Sequence, residues 1–166
     1  VKHMRARDPE FYCVGEFWKY NLQDMLDYRD RMDIDFGLFD APLVENFHKA
    51  SWRQRGDLSQ IFAGSLVQAN RFCAVTLVMN HDTQPGQSLQ LDVDGWFKPL
   101  AYALILLREE GYPCVFYGDL FGMAAWEKDG HKHPKVEPAC GGQLADFILA
   151  RKLYAWGDTR DYFDYP

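Results

Sequence analysis

Short apolar runs alternate along the chain with longer stretches of three- and four-residue apolar spacing. Phe11-Tyr12-Cys13-Val14-Gly15 is a brief β-type run, and Leu22 to Met32 follows with helical spacing through Leu22, Met25, Leu26 and Arg29. Asp35 to Asp40 is a second short run. Trp52 to Gln68 then reads as a helix through Leu58, Ile61, Phe62 and Leu66. Ala74 to Met79 is a buried strand, bounded by Asn80 and by the later Pro85-Gly86. Trp96 to Glu110 reads as a helix that Gly111 and Pro113 terminate. Cys114 to Tyr117 is the fourth strand, and Gln143 to Trp156 the last helix. Met123 to Gly142 is polar, with Gly, Pro, Lys and His, and is expected to be a surface loop.

These are four strand-then-helix units. The strands are almost continuously apolar, as in a parallel sheet buried on both faces. The expected class is α/β, either a doubly wound sheet or a β/α barrel. No internal repeat is visible. A closed barrel takes eight strands and about 250 residues. With four strands in 166 residues, only a partial barrel is expected.

Composition narrows the options. Hydrophobic residues make up 48% of the chain, so disorder is excluded as the main state. The net charge of −6 disfavours nucleic acid as a partner, since phosphates demand clustered Lys and Arg. No membrane partner is expected, because the longest apolar run, around Leu100 to Leu107, falls far short of the roughly 20 residues a bilayer needs. Val1 to Arg7 carry no apolar core of an export signal. The four cysteines form no C-x-x-C pair and are expected to be buried, reduced thiols. His131, His133 and Cys140 lack metal-ligand spacing.

In β/α barrels the working residues lie just past the C-terminal ends of strands. That position holds Glu16 after the first strand and His81-Asp82 after the third, while Tyr117-Gly118-Asp119 closes the fourth. Carboxylates from separate strands, with histidine and a nearby Trp18, suit glycoside cleavage, in which one carboxylic acid protonates the leaving oxygen. Asn80-His81-Asp82 also reads as an Asx turn.

Four segments together resemble the α-amylases, glycoside hydrolase family thirteen. Val78 to Gln87 (Val-Met-Asn-His-Asp-Thr-Gln-Pro-Gly-Gln) resembles the fourth conserved motif, and Val14-Gly15-Glu16-Phe17-Trp18 the third. Val1-Lys2-His3 is similar to the tail of the second, and Gly111 to Asp119 to the eighth-strand motif. Trp96 to Tyr102 and Asp161-Tyr162-Phe163-Asp164 are similar to liquefying bacterial and intracellular fungal members.

The resemblance implies retaining endo-hydrolysis of α-1,4 bonds in starch or glycogen. Glu16 would be the general acid/base, and Asp82 would hold sugar hydroxyls in the transition state. His81 would bind the sugar at the cleavage point, with Lys2, His3 and Trp18 on the leaving-group side. The His3 backbone carbonyl would contribute to a structural calcium site, which needs six to eight oxygens. The expected partners are an α-glucan and the other half of the barrel. A glucan transferase of the same family and a non-catalytic remnant are the alternatives. A cytoplasmic location is expected over a secreted one.

Four departures from the family pattern stand out. The nucleophilic Asp would fall two residues before Val1. The excursion domain and the C-terminal β domain lie outside residues 1–166, and Met79 replaces a residue that is acidic in many relatives. Only Met4 to Gly15, twelve residues, separate His3 from Glu16, too few for a strand preceded by a crossover helix, so that helix is expected to be deleted.

Overall fold

The computed structural model describes residues 1–32, 34–52, 58–128 and 130–160. Four parallel strands form one sheet in sequence order: β1 (Val14–Gly15), β2 (Gly37–Phe39), β3 (Ala74–Leu77) and β4 (Tyr112–Cys114). Each pairs with its predecessor, with Val14 opposite Gly37, Leu38 opposite Ala74 and Val75 opposite Tyr112. The sheet does not close on itself, and the class is that of a partial β/α barrel.

A single helical turn, α1 (Lys2–Arg5), precedes β1 among the described residues. The space between His3 and β1 therefore holds no crossover helix. Helix α2 (Leu22–Arg31) starts at Asn21, whose side chain accepts the Asp24 N–H at 3.1 Å. Such a cap satisfies one of the donors that a helix start leaves unpaired.

The helix expected over Trp52 to Gln68 does not form there. Residues 53–57 of that stretch lie outside the described residues. The long helix comes earlier, as α3 (Ala41–Trp52), with Pro42 in its first turn, where proline is tolerated. Leu43, Val44, Phe47 and Ala50 give it a buried stripe. The later apolar spacing is broken by Gly64, at φ +67°, and Ser65 then caps a fresh start, α4 (Leu66–Ala69), by accepting the Gln68 N–H. Leu58–Gln60 forms only a 3-10 turn.

Helix α5 (Lys98–Leu106) is shorter than the expected Trp96 to Glu110. Arg151 donates to the carbonyls of Leu106 and Arg108 and so satisfies its C-terminal end. Gly111, at φ +78°, turns the chain into β4 at once, so this strand begins two residues earlier than expected. Tyr117, expected at the strand's end, instead opens α6 (Tyr117–Phe121). Met123 to Gly142 is no simple loop. It holds an antiparallel hairpin of β5 (Trp126–Lys128) and β6 (His131–His133), with Met123 bridged to Val136. The last helix is α7 (Leu144–Tyr154).

The core lies between the sheet and its helices. Leu38, Ala74 and Val78 join Phe47, Phe97, Tyr102 and Leu144 there. On the other face Tyr12 lies over Gly37, where a Cβ would run into its hydroxyl. Tyr12 and Tyr112 meet at 4.9 Å between ring centroids, although β1, which Tyr12 precedes, and β4 are the two edges of the sheet. The sheet is therefore curled towards that face, as in an arc of a barrel. Tyr12, Val14 and Tyr112 remain more than 40% exposed along it. All four cysteines are free, and only Cys73 is fully buried.

Candidate active site

Each of the four parallel strands is followed by a carboxylate, and burial divides the four into two kinds. Glu16 and Asp82 reach solvent, whereas Asp40 and Asp119 are buried.

Glu16 follows β1 directly. Its neighbours are anchored on both sides: Gly15 packs so tightly on Phe36 that a Cβ would sit 2.9 Å from the ring, and Phe17 stacks on Tyr28 at 4.1 Å. An exposed acid thus leaves a rigid base. Trp18 is half-buried, edge-on to Tyr20, with a buried indole N–H that has no hydrogen-bond partner among the described residues.

Asp82 sits on a tightly bonded turn after β3. The Asn80 side-chain oxygen accepts the N–H groups of Asp82, at 3.0 Å, and Thr83, at 2.9 Å. The buried Thr83 hydroxyl in return accepts the Asn80 N–H at 2.9 Å. The Asx turn read from the sequence is real, and it is the frame that presents His81 and Asp82. His81 Nε2 lies 3.6 Å from the Asp82 carboxylate, beyond hydrogen-bond distance, so both polar edges stay open to a ligand. One strand separates β1 from β3, which sets these two strands about 10 Å apart in the sheet.

Lys2 and His3 lie exposed on α1. Among the described residues no group of three or more His, Cys, Asp or Glu side chains could hold a metal ion. The His3 carbonyl alone falls well short of a calcium coordination sphere, so these residues do not by themselves make such a site.

Asp40 was not anticipated from the sequence. One carboxylate oxygen accepts the N–H of Leu43 at 3.2 Å and of Leu66 at 2.9 Å, and the other accepts that of Val67 at 2.8 Å. It thereby holds the starts of both α3 and α4. Burial pushes its pKa up to about 6, against the opposing pull of the three N–H donors.

The hairpin β5–β6 rests on the segment that follows Asp82. The His133 ring stacks on Trp126 at 4.6 Å and covers Gly86, and Lys128 donates to Gln87 at 3.0 Å. Gly86 has φ +78°, and a Cβ there would run into the imidazole. Gly86→Ala is therefore expected to lift His133 off the loop and cost about 1–2 kcal/mol from backbone strain alone. A fall in Tm, with loss of the ring-current shift that Trp126 imposes on His133, would show it.

No protein-family model matches the chain. Among solved structures, a ligand-free cyclic alpha-maltosyl-(1-->6)-maltose hydrolase from Arthrobacter globiformis aligns with 89% of this chain and 34% of its own, at a TM-score of 0.53 and 21% identity. That likeness shows the fold, a partial β/α barrel. In sequence, the chain is 47% identical to the cytoplasmic alpha-amylase of Escherichia coli (strain K12), across 100% of this chain and 34% of that protein. It is 41% identical to the alpha-amylase of Bacillus licheniformis, across 99% of this chain and 31% of that protein. Along its whole length the chain is thus similar in sequence to alpha-amylases. It spans about a third of the length of the curated relatives it matches.

Proposed function

We propose that this chain supplies the acid/base side of a retaining α-1,4-glucan hydrolase site, acting on starch or glycogen. The observation that carries the reading is the pair of exposed carboxylates, Glu16 and Asp82, each on a rigid base past a parallel strand. The motifs around both acids, and the alpha-amylase relatives, support it.

Glu16 gives its proton to the glycosidic oxygen as the carbon–oxygen bond breaks. A nucleophilic Asp, placed two residues before Val1 by the family pattern, takes the sugar as a covalent ester. The Glu16 carboxylate then removes a proton from the water that releases it. Asp82 and His81 hold sugar hydroxyls as positive charge develops at the ring. Trp18 offers an apolar face to the leaving-group side, with Lys2 and His3 as polar contacts there. Residues 1–166 form part of the catalytic barrel, and the rest of that barrel is the protein partner. We also infer a cytoplasmic setting, which the name of the Escherichia coli relative and the four free thiols support.

Two preparations test this. The 166-residue chain alone is expected to release no reducing ends from soluble starch, for want of the nucleophile. A chimera in which residues 14–160 replace the matching stretch of the Escherichia coli relative is expected to release them. Cleavage by the isolated chain that Glu16→Gln abolishes would overturn the placement of the nucleophile. A well-folded but inert chimera would overturn the function.

A further inference from the structure

A buried ionic cluster stands beside the turn that carries Asp82. The Lys98 ammonium, on the first turn of α5, contacts one oxygen of Asp119, in α6. The other Asp119 oxygen accepts the Tyr102 hydroxyl at 2.7 Å. Lys98 is 12% exposed in its side chain and Asp119 3%, and Tyr102 is fully buried. Burial and the adjacent Asp119 hold the Tyr102 hydroxyl well above its ordinary titration range, so it remains a donor. The same ammonium lies 3.8 Å from the sulfur of Met79, the residue immediately before Asn80.

A buried ion pair is weak evidence for stability, because apolar residues of similar volume often serve as well. This one reaches the segment after β3 through its cation and α6 through its anion. A thioether is a poor acceptor, so the ammonium is left with capacity at Met79. We propose that Lys98 is a positioning residue, whose charge, held by Asp119, braces the end of β3 and with it the Asn80–Thr83 turn. The turn's importance rests on the glucan-cleavage reading above, whereas the brace is measured without substrate.

The test is amide hydrogen exchange on the 166-residue chain. Lys98→Met alone strands a buried carboxylate, so the informative variant is Lys98→Met/Asp119→Leu/Tyr102→Phe, which makes the whole cluster apolar. Its Asp82 and Thr83 amides are expected to exchange about tenfold faster, the scale of one lost charge-assisted contact, while α3 amides such as Phe47 hold within about twofold. Lys98→Arg keeps the charge and is expected to preserve turn protection. Unchanged turn exchange in the triple variant, or equal acceleration throughout the chain, overturns the brace. Met79→Asp supplies a second reading. Its carboxylate meets the spare capacity of Lys98, and the turn amides slow. Unchanged or faster turn exchange in that variant also overturns it.

Discussion

Asp40→Ala is expected to abolish cooperative folding of the chain. The substitution leaves three buried N–H groups, of Leu43, Leu66 and Val67, without an acceptor. Each such orphan costs about 1–3 kcal/mol. The sum is comparable with the whole stability of a typical domain, roughly 5–15 kcal/mol. Asp40→Asn keeps one acceptor oxygen and is expected to fold, with a lower denaturation midpoint. The pair of proteins also carries a pH signature. Burial disfavours the charged form, so the Asp40 pKa is about 6 in the folded state against 3.8 when exposed. Between those values the native protein binds the proton more tightly than the unfolded chain. Stability contributed by this group is therefore greatest at low pH and falls as pH rises through about 4 to 6. The stability advantage of the parent over Asp40→Asn should shrink by on the order of 2–3 kcal/mol between pH 4 and pH 7. Urea titrations at the two pH values would check it, and a constant or widening gap would contradict it.

Asp40 also marks where the sequence stops being informative. Its partners lie 26 and 27 residues away at Leu66 and Val67, and no local pattern announces a bond of that reach. Its role at α3 was more accessible, since Asp followed by Ala-Pro is an ordinary helix start. Apolar positions at three- and four-residue spacing run through both 41–52 and 58–66. Periodicity alone does not separate them; the Gly64-Ser65 break, which the helix expected over Trp52 to Gln68 ran straight through, does. The hairpin escaped notice because its strands, Trp126–Lys128 and His131–His133, are mostly polar and exposed. They are held against the Gly86 loop by the His133 ring over Gly86 and by the Lys128 contact with Gln87. The parallel strands were legible because continuous apolar runs have few other homes. So were the segments around Glu16 and Asp82, whose motifs are local. What the sequence did not show was burial. Asp119 and Asp82 both follow strands, yet their side chains are 3% and 37% exposed, and one anchors a lysine while the other is open to a ligand.

Loss of the proposed acid should produce the largest change in activity. Glu16→Gln preserves volume and one acceptor oxygen but has no carboxyl proton to give and cannot take one from water. A positioned acid/base contributes about 10²–10⁴ in rate. Glu16 is exposed and its neighbours are anchored by Phe36 and Tyr28, so the substitution should leave folding intact. Asp82→Asn should also slow turnover, since a neutral amide stabilises the charged sugar less well. The measurement that bears most directly on the account is the ratio of starch-hydrolysis rates in the chimera with Glu16 and with Gln at that position, at matched Tm. The account predicts a ratio of about 10²–10⁴. Equal rates in two equally stable proteins would contradict it.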